Sequence, residues 1–106
     1  MIRVLIQYTV EPDGRFDLAY YRDEHVPLVK KIMLPLGMLK GEWDEVLPHP
    51  ASGGAPKYHV VSVQYWESLE AMERAYASPS SDMLRNDIKN FYSGSPVRVI
   101  SNLRNW

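Results

Sequence analysis

The stretch YHVVSVQYWESLEAMERAYA, Tyr58–Ala77, changes its hydrophobic period in the middle. Tyr58 to Trp66 is β-branched and aromatic throughout, the composition of a strand. Ser68 then stands before Leu69, Met72 and Ala75-Tyr76, which recur at helical spacing, so the serine caps a helix. Val60 and Trp66 fall on one side of the strand, and Val61, Val63 and Tyr65 on the other. A strand running straight into a capped helix sets the unit from which the rest of the chain is read.

Upstream the same unit recurs. Ile2 to Val10 reads as a strand, with Val4, Ile6 and Tyr8 on one side and Leu5, Gln7 and Thr9 on the other. Glu11-Pro12-Asp13-Gly14 is a turn. Asp17 caps a helix to about Leu34, where Leu18, Tyr21, His25, Leu28, Val29 and Ile32 form one stripe, and Pro35 and Gly37 end it. Leu39 to Leu47 alternates apolar and charged residues, an edge strand. Pro48 to Lys57, PHPASGGAPK, is a loop. Downstream, Ser78-Pro79 opens a third helical piece to about Phe91, and Val97 to Leu103 is the last strand. The order β-α-β-β-α-β predicts an α+β fold of the ferredoxin-like kind. It has a four-stranded antiparallel sheet, helices on one face, and the first and third strands central.

The totals bound what such a domain does. The chain has 106 residues, room for one domain over 1–106 and too little for two. A net charge of −1 gives no electrostatic case for nucleic acid or a membrane surface. There is no cysteine, hence no disulfide frame, thiol nucleophile or cysteine metal site, which fits a cytoplasmic protein. The apolar N-terminus MIRVLIQYTV is too short to span a bilayer and is broken by Arg3 and Gln7. No HExxH spacing, phosphate loop or nucleophile elbow occurs, so the reading assigns no cofactor and no metal. Asp23, Glu24 and His25 are consecutive on a helix and fan apart, which keeps them from converging on one ion.

Two features invite a functional reading. The central strands carry apolar residues on the face that helices do not cover, which calls for a second copy of the chain, at roughly 500–800 Å² of apolar surface per chain. The other is His25. It shares the buried stripe with Tyr21, one turn earlier, and an imidazole titrates near pH 6.5. Pro27 cannot donate to the carbonyl of Asp23, so the helix loosens beside the ring and opens space for a ligand. The alternative is a core histidine satisfied by a neighbouring hydroxyl or carbonyl. Three tryptophans and seven tyrosines supply rings for a cleft suited to a flat apolar molecule. Tyr8, Tyr20, Trp66 and Ile6 are the candidates to line it.

The pattern Tyr20-Tyr21-x-x-x-His25-x-Pro27-Leu28, with Trp66, Ser68, Glu70 and Ala71 at the strand-to-helix junction, resembles the EthD family of dimeric α+β barrel proteins, over about residues 2 to 104. The resemblance implies a ferredoxin-like chain whose sheet packs face to face with a second one. It implies a ligand cleft between helices and sheet, and it places the family's recurrent histidine at His25. Relatives of this kind include dehydratases, cyclases, cofactor-free oxygenases and proteins with no known activity, so the fold does not fix the reaction. The expectation is proton-transfer chemistry on an apolar or aromatic metabolite, with His25 as acid and base and Tyr21 orienting it. The alternative is a non-catalytic binding or accessory protein for a hydrophobic metabolite in a degradation pathway. Pro48–Lys57 is long for the family pattern.

Overall fold

The computed structural model describes residues 1–106. Four strands, β1 (Ile2–Thr9), β2 (Met38–Glu45), β3 (Tyr58–Trp66) and β4 (Val97–Asn102), form one antiparallel sheet in the order β2-β3-β1-β4. The first and third strands are central, as the element order predicts, and the charged β2 is an edge. Pairing of Ile2 with Trp66, Val4 with Gln64, Ile6 with Ser62 and Tyr8 with Val60 puts all eight side chains on the helix-covered face. There Val4, Tyr8, Val60 and Trp66 form the sheet side of the core.

The first helical segment is not a plain α-helix. It runs as α1 (Leu18–Tyr20), a π-helical turn (Tyr21–His25) and α2 (Val26–Met33). Asp17 caps it by accepting from the Tyr20 amide at 3.0 Å. In the widened turn the amide of Val26 donates to the carbonyl of Tyr21, five residues back. Pro27 follows immediately and has no N–H to offer Asp23, so the expected loosening takes the form of one inserted residue. The insertion keeps both Tyr21 and His25 buried against the sheet. Gly37, at φ 116°, turns the chain into β2 in a conformation a side chain would strain.

The second helical layer starts at α3 (Leu69–Ala77), where the Ser68 hydroxyl accepts from the Ala71 amide at 3.1 Å. The next piece is divided into a 3₁₀ turn (Pro79–Ser81), α4 (Asp82–Asp87) and a second 3₁₀ turn (Ile88–Asn90). The Ser78 hydroxyl makes no cap there; it pairs with the Ser80 hydroxyl instead, and the Ser78 carbonyl takes the Ser81 hydroxyl at 2.7 Å. Phe91 and Tyr92, both sealed, close the core behind the last turn. No helix is long and apolar enough to cross a membrane.

The opposite face of the sheet has no cover. It carries Leu5, Val61, Val63, Tyr65, Val97 and Val99, of which Val97 is 51% and Val99 42% exposed while Val63 is buried. On that face Arg3 lies over the Tyr65 ring, and its Nε is buried without a hydrogen-bond partner.

Candidate active site

The π-turn aims His25 at α4. Its Nδ1 lies 2.8 Å from Oδ2 of Asp87, and the residue is only 5% exposed. Asp87 is itself held: its Oδ1 accepts from the Tyr20 hydroxyl at 2.7 Å and from Nδ2 of Asn90 at 3.0 Å. A carboxylate acceptor at Nδ1 places the imidazole proton there and leaves a lone pair on Nε2. Nε2 takes no hydrogen bond within the chain, and the sole polar side-chain atom that is both sealed and unpartnered is Arg3 Nε. Nε2 is thus not sealed, and the ring lines the cavity beneath the helices. The ring is fixed from both sides, by Tyr21 stacked at 5.6 Å and by Phe91 at 4.5 Å.

Burial holds the His25 pKa below the ordinary imidazole value, against the opposing pull of Asp87. The ring is thus neutral near pH 7, the state in which it accepts a proton. For Asp87, partial burial works against ionisation, but the hydrogen bonds from Tyr20, Asn90 and His25 outweigh it and keep the carboxyl below its usual range. Burial pushes the Tyr21 hydroxyl up to about 12, with Ser62 easing it slightly, and burial raises Tyr8 further. Both phenols stay protonated, as donors.

The cavity at His25 is small, about 40 Å³, and is lined by Ile6, Tyr8, Tyr21, Ser62, Tyr76 and Arg98 among others. That is space for a water or one functional group, not for the whole of a flat apolar molecule. Two wider hollows adjoin it. One, of about 420 Å³, lies between α2 and β2 and shares Tyr21, Val29, Ser62 and Gln64 with the cavity. The other, of about 380 Å³, lies between α3 and β4 and shares Tyr76, Arg85 and Arg98.

Of the six residues singled out from the sequence, His25, Tyr21, Tyr8 and Ile6 meet at this cavity. Trp66 does not: it is sealed in the core, donates its indole N–H to Gln64 at 3.3 Å and lines none of the three hollows. A ring of that size on a central strand is worth more as core than as a wall, because the helices close over it. Tyr20 also stands outside the cavity, turned toward α4 to hold Asp87. Asp87, Arg98 and Tyr76 carry site geometry that the sequence reading missed. No group of three His, Asp or Glu side chains converges anywhere on the chain.

A split βαβ sheet with a histidine–aspartate pair facing a cleft beneath its helices defines a small α+β protein. The EthD domain family matches residues 15–95, and the chain belongs to that family, within the dimeric α+β barrel superfamily. A curated relative, the uncharacterized 11.0 kDa protein in the thcB-thcC intergenic region of Rhodococcus erythropolis, is 31% identical over 95% of this chain and 93% of its own. The crystal structure of an EthD-like protein from Ralstonia eutropha JMP134 is 30% identical and superposes with a TM-score of 0.82 over 94% of this chain and 88% of that one. Likeness of fold alone extends to SnoaB, a cofactor-independent oxygenase from Streptomyces nogalater (TM-score 0.68, 12% identity, 99% and 94% covered). It also extends to a hydroxynitrile lyase from Passiflora edulis (TM-score 0.69, 10% identity, 99% and 94% covered).

Proposed function

We propose that the protein is an enzyme that moves a proton on a small apolar or aromatic metabolite, with His25 as the base and acid. The observation that carries this reading is the division of labour on one ring. Nδ1 is tied to Asp87, and Nε2 is free at a cavity too small for anything but the reacting group. A neutral imidazole held in one tautomer, with its other nitrogen unspent, is the arrangement general base catalysis needs. Tyr8 and Tyr21 supply protonated hydroxyls to orient a ligand oxygen, and the flanking hollows have the volume for a ring or two. That the fold hosts an oxygenase without cofactor and a lyase elsewhere is consistent with chemistry done by side chains alone.

The test is α-proton exchange. α-Tetralone, a bicyclic ketone, is followed by proton NMR in D₂O with and without protein. Wild type accelerates loss of the α-proton signal, and His25→Gln slows that exchange about 100-fold or more while its circular dichroism is unchanged. Equal exchange by wild type and variant overturns the assignment.

A second reading rests on the narrowness of the cavity against the width of the α2–β2 hollow. In it the chain binds a hydrophobic metabolite without turning it over, as an accessory protein in a degradation pathway. It predicts that α-tetralone moves amide resonances around Val29, Trp43 and Gln64 with no exchange of its protons.

In either reading the assembly is a homodimer through the open sheet face. The apolar residues there sit on central strands as well as on β4, and the superfamily's name describes such pairing. A cytoplasmic location is part of the same proposal.

A further inference from the structure

A base that removes a proton next to a carbonyl needs something to meet the charge that appears on the oxygen. Arg98 stands where that group would have to be. It is on β4 opposite Ile6, so its side chain shares the helix-covered face with Ile6 and lines the same cavity as His25. Its guanidinium lies 5.1 Å over the Tyr76 ring. No carboxylate neutralises it: the ion pairs of the chain are Arg22 with Asp23, His25 with Asp87 and Arg85 with Asp82. Glu73, on the lining of the α3–β4 hollow, stays beyond ion-pair distance.

The neighbouring Arg85 shows the contrast. It also borders the cavity, but its guanidinium is spent on Asp82, on the Ser81 hydroxyl at 2.9 Å and on the Tyr76 carbonyl at 3.5 Å. Beside Arg98 the Tyr8 hydroxyl faces the cavity with no hydrogen bond inside the chain, a second donor left for a ligand.

We propose that Arg98, assisted by the Tyr8 hydroxyl, is an oxyanion-binding group, and that the ligands of this site are enolisable ketones or phenols whose oxygen sits against it. The assignment rests on the proton-transfer reading of His25. In the step it supports, Nε2 of His25 takes the α-proton, and the C–H pair forms the enolate double bond. The carbonyl π pair moves onto oxygen, which becomes the anion facing Arg98. Return of the proton from His25 to carbon completes an exchange or an isomerisation, with no oxidant consumed. The ligand ring lies in the α3–β4 hollow against Val4, Met72, Tyr76 and Ile100, which shares Arg98 with the cavity.

The test uses 4-nitrophenol, a flat phenol whose anion absorbs visible light and whose neutral form does not. It is titrated into the protein at a pH where the free probe is mostly neutral. Wild type binds it as the phenolate, with a visible band, and the Arg98 Nε–H resonance moves. Arg98→Gln loses the band and weakens binding of the anion about tenfold or more. Arg98→Lys retains part of both, and His25→Gln keeps the band. The proposal is overturned if wild type binds no phenolate or if Arg98→Gln keeps the full band. It is also overturned if the band follows His25 instead of Arg98, which would make imidazolium the counter-ion. The two readings fail separately. A phenolate band in a protein that does not exchange α-tetralone refutes the proton transfer and leaves the anion site standing. Exchange without any band does the reverse.

Discussion

Replacing Asp87 with asparagine keeps the shape of the side chain and removes its charge. The outcome follows from counting donors around it. Two donors, the Tyr20 hydroxyl and Asn90 Nδ2, converge on Oδ1, and one, His25 Nδ1, meets Oδ2. An asparagine has one oxygen for these two places. Setting the oxygen against Tyr20 and Asn90 keeps both of those donors satisfied in the orientations they now hold. The new NH₂ then faces Nδ1 and forces it to accept, which moves the imidazole proton to Nε2. The base is present but carries its proton on the wrong nitrogen. Loss of one hydrogen bond to a carboxylate costs about 1–3 kcal/mol of folding stability, read by urea denaturation. Loss of the tautomer costs about 100-fold or more in the rate of α-tetralone exchange. Long-range ¹⁵N–¹H correlation of the His25 ring reads the tautomer directly. If Asp87→Asn keeps the proton on Nδ1, or flips it with the exchange rate unchanged, the carboxylate does not set the state of the base and the account of the site is wrong.

The pH dependence has a definite sign. Burial holds the imidazole below 6.5, so the acid limb of kcat/KM for exchange falls below pH 6.5. As pH drops through that value the unfolded chain takes up the proton first, so stability is lost on the acid side and His25 contributes no slope above it. A limb above pH 6.5, or stability that rises as the ring becomes protonated, contradicts this. Pro27→Ala restores a donor to the Asp23 carbonyl and lets the π-turn relax toward α-helix. The ring stack of Tyr21 on His25 is then lost, and exchange falls about tenfold to a hundredfold, with the His25 ring resonances as the direct readout. Leu5→Asp puts a charge at the middle of the open sheet face, between Val63 and Val99. Sedimentation velocity at micromolar protein shows wild type as a dimer and the variant as a monomer; a monomeric wild type removes the sheet-face proposal.

The parts of this architecture that local pattern controls could be read in advance, and the parts that depend on docking could not. The β-α-β-β-α-β order placed β1 and β3 at the centre, and the strand Tyr58–Trp66 and the cap at Ser68 follow from residue type alone. His25 and Tyr21 were legible because one helical stripe carries them both. Asp87 was not. It lies 62 residues from His25, and a carboxylate on a short polar helix looks the same whether it meets water or a ring. Only the packing of α4 against the π-turn decides between the two. Tyr20 illustrates how narrow the margin is, since one step along the widened turn sends its ring to Asp87 while Tyr21 faces the sheet.

Arg98 did leave a trace in the sequence. In β4 the usual alternation is partly reversed: Val97 and Val99 point to the open face, and Arg98 between them lies on the helix side with Ile100, where it remains exposed. An edge strand that only had to satisfy its own chain would place the valines inward. Reversal makes physical sense if each face has a further partner. The outward valines need apolar cover, which a second sheet supplies. The Arg98 guanidinium lies over the Tyr76 ring with no carboxylate of the chain within ion-pair distance and is exposed, open to an anion from outside. A single six-residue strand thus ties the proposed assembly to the proposed ligand. Exchanging the two preferences, with Val97→Arg and Arg98→Val together, separates them from the fold. The double variant should keep its circular dichroism and lose both the dimer and the phenolate band. A double variant that folds, pairs and still binds the anion would show that the alternation of β4 carries neither function.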